Sequence, residues 1–252
     1  MEQEKPLILI GNDDGYQAKG LATLINVASR YGDVVAVAPT HHQSGQSSAL
    51  TIETPLRLTQ VRDDVGIKIY HVGGTPVDCM QMAFSQVLDR KPTLLLAGIN
   101  HGFNSGNSVT YSGTMGVVFD GTFRGVPSVG FSYGDFSPDA DFSPCIPFIG
   151  KTIEWMLQNG LPDGVCLNIN YPKCEKILGL KVTRASMGYW DQQYAKRIDP
   201  FGRPYYWLTG QYVDNDPSDP TTDNYWLSRG YATVTPCRAD QTAIDLIPNT
   251  QH

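Results

Sequence analysis

The chain has 252 residues, of which 41% are hydrophobic and 17% are charged, and its formal net charge is −6. This composition supports a sizeable core and excludes a disordered chain. The acidic balance also argues against a protein that wraps a long nucleic acid, because that function needs a patch of lysine and arginine. A small phosphorylated ligand stays compatible, since a metal ion and backbone amides supply positive field locally.

Neither the N-terminus nor the cysteines indicate a membrane or an oxidising compartment. The first residues, MEQEKP, are acidic and lack an apolar signal core. No apolar run approaches the ~18 residues of a membrane span. The five cysteines are odd in number and none has CxxC spacing. We therefore expect reduced, buried thiols in a cytoplasmic protein.

Short apolar strands alternate with helices over the first two thirds of the chain. Strands are predicted at 7–11, 33–39, 67–72, 93–98, 127–132 and 164–172. Helices are predicted at 20–31, 75–88, 113–125 and 144–160. The second helix begins with Thr75 as N-cap and Pro76 in its first turn, and the last helix ends at Gly160.

The predicted strands lack polar alternation, which is typical of parallel strands that are buried on both faces. We therefore expect an α/β fold in which a mostly parallel sheet carries helices on both faces. Ligands of such sheets bind beyond the carboxyl ends of the strands. The polar residues that follow each strand are consequently the candidates for a functional site.

Residues 186–236 differ from the rest of the chain because they are rich in aromatic residues, proline, aspartate and glycine. RPYYWLTGQYV (203–213) reads as one strand, and NDPSDPTTD (215–223) reads as an exposed turn. A flat aromatic segment outside the core fits contact with a partner subunit, or an ordinary covering hairpin. We expect one domain over 1–252 that contains this extension.

Two adjacent carboxylates follow the first strand in the loop GNDDGYQAKG (11–20). A turn there would bring Asp13 and Asp14 toward one hard cation, and such oxygen ligands suit Mg²⁺, Mn²⁺ or Ca²⁺. Two plainer interpretations compete with a metal site. One aspartate would cap the following helix, or the DDG triplet would simply form a turn.

Two further loops carry polar residues whose roles the sequence leaves open. APTHHQSGQSSALT (38–51) is rich in hydroxyls and amides, and Ser44 offers an oxygen to a metal or a phosphate. Its histidines, His41 and His42, are proton donors, zinc ligands or ordinary loop residues. In GGTPVDC (73–79), Asp78 either supports the site or favours the dipole of the helix that it begins.

The loop GINHGFNSGNSVTYSGTMG (98–116) has the most glycine and asparagine. Glycines let backbone N–H groups approach an anion, and YSGT (111–114) precedes a helix whose N-terminus attracts phosphate. The loop lacks the lysine of a Walker A motif and does not fit GxGxxG. The sequence therefore argues against a nicotinamide-dependent oxidoreductase.

Eight segments in this order resemble the SurE family of stationary-phase survival proteins. They are NDDG (12–15), AP with SG (38–39 and 44–45), GTPVDC (74–79), the GIN loop (98–106), YSGTMG (111–116), GVPSVGFS (125–132), LNINYP (167–172) and GYATVTP (230–236). The resemblance runs nearly end to end. It implies a Rossmann-like core and a 5′/3′-nucleotidase that depends on a metal ion. It also implies that the C-terminal extension is exchanged between the subunits of a homodimer or tetramer.

The resemblance further implies a set of site residues. One divalent cation per subunit, Mg²⁺ or Mn²⁺, would be held by four side chains: Asp13, Asp14, Ser44 and Asn100. Phosphate would be bound by residues near the N-terminus of the third helix and in the surrounding loops: Asn12, Gly45, Asn104, Ser112, Gly113 and Thr114.

Three positions depart from the family pattern. Gly11 replaces a small hydroxyl residue before NDDG. THHQSG stands where many members have DRNRSG, so the basic side chains are missing, and we expect either the substrate affinity or the groups that face the base and ribose to differ. Asn107 stands where aspartate is common, which removes a charge near the pocket.

The resulting hypothesis is a phosphomonoesterase that converts nucleoside 5′-monophosphates, or 3′-monophosphates, to nucleoside and phosphate. Asp13 or Asp14 would position or deprotonate the attacking water. Candidates for protonating the leaving alcohol are His41, His42 and His101. The alternative is a protein that binds a nucleotide or a metal ion without turnover.

Overall fold

The computed structural model describes residues 5–243. The expectation about the N-terminal signal therefore lies mostly outside the described residues. This part of the chain contains thirteen strands: β1 (Leu7–Gly11), β2 (Asp33–Pro39), β3 (Leu58–Asp64), β4 (Ile67–Val72), β5 (Leu94–His101), β6 (Ser128–Tyr133), β7 (Val165–Tyr171), β8 (Leu180–Val182), β9 (Gly188–Asp191), β10 (Tyr194–Ile198), β11 (Pro204–Leu208), β12 (Gln211–Asp214) and β13 (Ala232–Arg238).

Nine of these strands form one sheet in the order β3-β4-β2-β1-β5-β6-β7-β13-β8. The six strands from β4 to β7 in that order run parallel to one another. At one end β3 pairs antiparallel with β4, and at the other end β13 pairs antiparallel with β7. The predicted mostly parallel sheet is confirmed.

The helices cover both faces of this sheet, as expected. They are α1 (Lys19–Ala28), α2 (Pro76–Met82), α3 (Gly113–Phe123), α4 (Ile146–Asn159) and α5 (Asp223–Leu227), with a π-helical turn at Ala83–Val87 and a 3₁₀ helix at Gly106–Tyr111. One core cluster contains Ile8 and Ile10 with residues of α1 and α4. The other contains Leu9 with residues of α2 and α3. Successive residues of β1 thus face opposite helical layers.

The helix predicted at 75–88 begins as expected but ends differently. Thr75 is the N-cap, and it forms a capping box with Asp78. The α-helical part stops at Met82, and a π-helical turn continues to Val87.

One strand prediction in the extension is wrong. The segment 203–213 forms two strands, β11 and β12, which are separated by Thr209 and Gly210. Gly210 has φ of +119°, a left-handed conformation that a continuous strand does not permit. Consequently β11 pairs with β10, whereas β12 pairs with β9.

The predicted exposed turn at 215–223 is correct only in its first part. Its last two residues, Thr222 and Asp223, have no exposed surface, and Asp223 begins α5. Among the described residues, the five cysteines are free, and three of them are buried: Cys79, Cys145 and Cys166. Within residues 5–243 no helix has both the length and the apolarity that crossing a membrane requires.

Candidate active site

The three loops with the most polar residues meet at one edge of the sheet. Strands β2, β1 and β5 are adjacent and parallel, so their carboxyl ends point the same way. The loops after β2 and β1 carry Ser44 and the Asp13–Asp14 pair, and Asn100 lies at the end of β5 itself. This placement agrees with the general position of ligand sites in parallel sheets.

Asp13 is buried, with only 3% of its surface exposed. The hydroxyl of Thr114 donates a hydrogen bond to Asp13 Oδ1 at 2.5 Å. Gly113 packs so closely that a Cβ built on it would lie 2.8 Å from the Asp13 Cβ. A larger residue at position 113 would therefore push the start of α3 away from this carboxylate.

Asp14 is held from two other loops. The backbone N–H of His101 donates to Asp14 Oδ2 at 3.3 Å, and His42 Nδ1 lies 3.2 Å from Asp14 Oδ1. The Asp14 side chain is 6% exposed, whereas the His42 side chain is 61% exposed. Asp14 thereby links the loop after β2 to the end of β5.

Burial raises the pKa of both carboxyl groups. The pKa of Asp13 rises from 3.8 to about 6, mainly through desolvation and then through the nearby charge of Asp14, against the lowering effect of Thr114. Burial likewise raises the pKa of Asp14, while His101 and His42 oppose that rise. Two adjacent buried carboxylates are costly without a cation.

The loop after β2 is hydrogen-bonded to neighbouring segments on both sides of Ser44. The N–H of Gln43 donates to the backbone carbonyl of Asp13 at 2.7 Å, next to the exposed Ser44. Further along, Ser47 donates from its N–H to the Tyr111 carbonyl and from its hydroxyl to the Thr110 carbonyl. Gly45 lies between these attachments with φ of +76°.

Asp78 has a structural role, because it begins α2 and also fixes the end of the same loop. Its carboxylate accepts the N–H of Thr75 at 2.8 Å and closes the capping box. It also accepts the N–H of Thr51 at 3.1 Å and the Thr51 hydroxyl at 2.5 Å. The helix start and the loop that carries Ser44 therefore share one buried carboxylate.

Asn100 lies at the end of β5, beyond a cis peptide bond between Gly98 and Ile99. Its amide nitrogen donates to the Gly102 carbonyl at 3.0 Å. This bond fixes the amide, and the side-chain carbonyl oxygen of Asn100 is the atom that the predicted metal site would use.

Asn104 belongs to a buried network that joins the third loop to the sheet. Its amide nitrogen donates to Ser132 Oγ at 2.9 Å, and its backbone N–H donates to Asn170 Oδ1 at 2.8 Å. Asn168 donates to the Asn104 carbonyl at 2.7 Å. The predicted phosphate ligand Asn104 is therefore fixed mainly by β6 and β7.

The remaining predicted phosphate ligands lie at the start of α3 and next to Asp13. Ser112 Oγ accepts the N–H of Met115 at 3.1 Å, so Ser112 is the N-cap of α3. The amide nitrogen of Asn12 donates to the Gly15 carbonyl, and Asn12 Oδ1 is buried without a hydrogen-bond partner among residues 5–243. An acceptor left unpaired by the described chain fits a site completed by a cation or by water.

The three candidate histidines differ in their environment. His41 is exposed, and His42 contacts Asp14. The His101 ring packs edge-on against Phe142 with 5.2 Å between the ring centroids. Its Nδ1 is buried and has no hydrogen-bond partner within the described chain.

The donor set of the predicted metal ligands fits a hard divalent cation. It comprises two carboxylates, one hydroxyl and one amide carbonyl, all of which are oxygen ligands. Within residues 5–243 no group of three His, Cys, Asp or Glu side chains is placed to hold a metal ion. A site here would therefore depend on the neutral oxygens of Ser44 and Asn100 as well as on the carboxylates.

Two contacts of the site could not be predicted from the sequence. The pairing of Asp14 with His42 and the bond from Thr114 to Asp13 join residues that are distant in the chain. The capping box of Thr75 and Asp78 has a readable signal in the spacing of three residues. The second contact of Asp78, with Thr51, has no such signal.

Comparison with known proteins gives consistent matches over nearly the whole chain. The sequence model of the family described as survival protein SurE matches residues 8–192. Relatives from Bacteroides fragilis and Flavobacterium johnsoniae, both named 5′-nucleotidase SurE, are 41% and 45% identical. Each alignment covers 96% of this chain and 95% of the relative. The crystal structure of the SurE protein from Aquifex aeolicus matches with a TM-score of 0.81 and 33% identity, over 96% of this chain and 97% of that one.

Proposed function

Because this chain belongs to the SurE family, we propose that it is a 5′-nucleotidase that hydrolyses nucleoside monophosphates to nucleoside and phosphate. The observation that carries the proposal is the pair Asp13 and Asp14. The two carboxylates lie at the carboxyl edge of the parallel sheet, beside the N-terminus of α3. A phosphate that binds at the helix N-terminus would thus lie next to the carboxylates.

A divalent cation, Mg²⁺ or Mn²⁺, would be held by Asp13, Asp14, Ser44 and Asn100. When bound, such an ion neutralises the carboxylates, polarises a phosphoryl oxygen and makes water more acidic. The chain supports the set from both sides, since Gln43 N–H holds the Asp13 backbone and Asn100 is fixed through Gly102.

The phosphate group would lie against the start of α3. Ser112 follows the 3₁₀ helix and caps α3, and the N–H groups of Gly113 and Thr114, in the first turn, have no hydrogen-bond partner within residues 5–243. These donors would stabilise the negative charge that the equatorial oxygens carry in the transition state. Asn12, Gly45 and Asn104 complete the proposed phosphate ligands.

Proton transfer would fall to Asp14 and a histidine. The His101 N–H and the His42 ring orient the Asp14 carboxylate, which is suited to orienting the attacking water. His42 is the histidine that the geometry favours for protonating the leaving alcohol. It is exposed and reaches Asp14, whereas His101 Nδ1 is buried.

We also propose that the extension, residues 186–236, contacts a second copy of this chain in a homodimer or tetramer, and that the domain spans 1–252. Several large apolar side chains of this segment are exposed: Met187, Tyr189, Tyr194, Ile198, Phe201, Tyr206, Trp207 and Leu208. Exposed apolar patches of this kind mark interaction surfaces. Sedimentation equilibrium measures the mass, and a monomer at all concentrations would contradict this assembly. The free thiols agree with a cytoplasmic location.

A substrate panel with varied metal tests the activity. The panel contains AMP, GMP, 3′-AMP, polyphosphate and p-nitrophenyl phosphate, each with Mg²⁺, with Mn²⁺ and with EDTA. We expect metal-dependent release of phosphate from 5′-monophosphates and a loss of several orders of magnitude in Asp13→Asn. Binding of AMP without hydrolysis in any metal would instead support the alternative, a non-catalytic nucleotide-binding protein.

A further inference from the structure

The segment between the glycine-rich loop and α3 is held by the C-terminal extension. This segment is the 3₁₀ helix Gly106–Tyr111, and it leads directly into Ser112 and the proposed phosphate pocket. Its far end also receives two hydrogen bonds from Ser47, in the loop that carries Ser44. Movement of this helix would therefore disturb both the phosphate pocket and one metal-ligand loop.

A buried carboxylate fixes the beginning of the helix. Asp223 has no exposed surface, and its Oδ2 accepts the N–H of Gly106 at 2.8 Å. Its Oδ1 accepts the N–H groups of Ser186 at 2.9 Å and of Asn224 at 2.8 Å. A carboxylate buried to this degree is retained in a fold only with such donors. Asp223 thus joins the first residue of the extension, Ser186, and the start of α5 to the beginning of the 3₁₀ helix.

Asn107 forms the second attachment, and both atoms of its amide are used. Asn107 Oδ1 accepts the hydroxyl of Tyr212 at 2.7 Å, and its Nδ2 donates to the Gly188 carbonyl at 2.7 Å. Tyr212 lies on β12 and Gly188 on β9, which pair with each other in the extension. An aspartate at position 107 would keep the acceptor and lose the donor.

The two segments are also in close steric contact. A Cβ built on Gly106 would lie 2.5 Å from the Tyr212 hydroxyl oxygen and 2.8 Å from Ser186 Oγ. The Tyr212 ring is held in turn by Trp190, edge-on, at 5.9 Å between centroids. The contact is thus tight as well as hydrogen-bonded.

We propose that Tyr212 and Asp223 are positioning residues, which hold the 106–111 helix from the extension and thereby set the affinity of the phosphate pocket. This inference rests on the proposed phosphatase function for its kinetic consequence only. The structural claim, that these two residues keep the 106–111 helix ordered, does not depend on that function. A change in the position of the extension, for example when subunits assemble, would then alter substrate binding through Tyr212 and Asp223.

Tyr212→Phe tests the proposal because it removes one hydroxyl and keeps the ring. We expect hydrogen exchange of the amides in 106–111 to become about fivefold faster, the factor that an ordinary hydrogen bond corresponds to. KM for AMP should rise by a similar factor, the inhibition constant for inorganic phosphate should rise with it, and kcat should change little. The matched control is Tyr205→Phe, since Tyr205 lies in the same extension and its hydroxyl has no hydrogen-bond partner in the described part of the chain.

The double variant Tyr212→Phe with Asn107→Ala shows whether the effect passes through this contact. If it does, the double variant should exchange no faster than Asn107→Ala alone. Unchanged exchange in Tyr212→Phe, or fully additive effects, would overturn the proposal. Loss of oligomers without faster exchange would overturn it as well. Absence of hydrolysis in the unmodified protein would reject the proposed function, while the exchange data would still decide the role of Tyr212.

Discussion

The substitution Asp13→Asn should stabilise the metal-free protein while it removes the activity. Asp13 is buried, and its pKa in the fold is raised from 3.8 to about 6. Because the folded-state pKa lies above the unfolded value, stability is fully present below about pH 3.8 and is lost as the pH rises through about 6. The loss corresponds to about 3 kcal/mol at pH 7.

Asparagine is isosteric with aspartate and keeps an acceptor for the Thr114 hydroxyl, so it removes the charge with little other change. We expect the variant to exceed the wild type by up to about 3 kcal/mol in the free energy of unfolding at pH 7, and by less than about 1 kcal/mol at pH 4. Urea unfolding in EDTA at both pH values measures this difference. Asp63→Asn, an exposed position on β3, serves as the control and should change stability little.

Addition of Mn²⁺ to the same samples distinguishes the effect of the Asp13 charge on stability from the role of Asp13 in binding a metal ion. A ligand at 100 times its Kd stabilises the native state by about 2.7 kcal/mol. The wild type should gain stability in Mn²⁺, and Asp13→Asn should gain almost none. A variant that is no more stable than the wild type at pH 7 in EDTA would refute the reasoning about buried charge. Equal gains in Mn²⁺ would refute the role of Asp13 in binding.

Two other substitutions probe how the site is supported. Asp78→Ala removes the capping box and the bonds to Thr51, so it should lower the free energy of unfolding in urea by about 1–3 kcal/mol. It should also raise the metal concentration needed for half-maximal activity. An unchanged metal requirement would contradict the link between Asp78 and the loop that carries Ser44. Gly20→Ala would place a Cβ 2.1 Å from the Ile99 carbonyl oxygen, so it should lower the free energy of unfolding by more than about 2 kcal/mol and reduce kcat/KM. The control is Gly73→Ala, where a Cβ meets open space and stability should change little. A similar loss of stability in Gly73→Ala would contradict the steric argument.

The central strands were predictable because they are buried on both faces. LILIG and DVVAVAP carry apolar residues at almost every position, and the structure forms β1 and β2 within the predicted limits. In contrast, β3 is exposed and polar, and its strand conformation depends on pairing with β4. No local pattern in LTQVRDD indicates that pairing.

For the candidate site, the sequence names candidate residues and does not predict the contacts between them. Adjacent aspartates after a strand are visible in the sequence, and the family resemblance adds Ser44 and Asn100. The bond between Gly106 and Asp223 spans 117 residues, so no spacing rule predicts it. Such contacts follow from the way the extension returns to the loop, which only the folded chain defines.

The position of β13 has a consequence for how the chain is made. This strand, residues Ala232–Arg238, inserts between β7 and β8, and Cys237 lies opposite Cys166 in the pairing with β7. During synthesis β7 therefore leaves the ribosome with one bare edge, which stays open until some seventy further residues have been added. An exposed edge strand is a template for pairing with other chains. Nascent chains that stall before residue 232 should consequently aggregate, because β13, the last strand in the described part of the chain, is the one that covers this edge of β7.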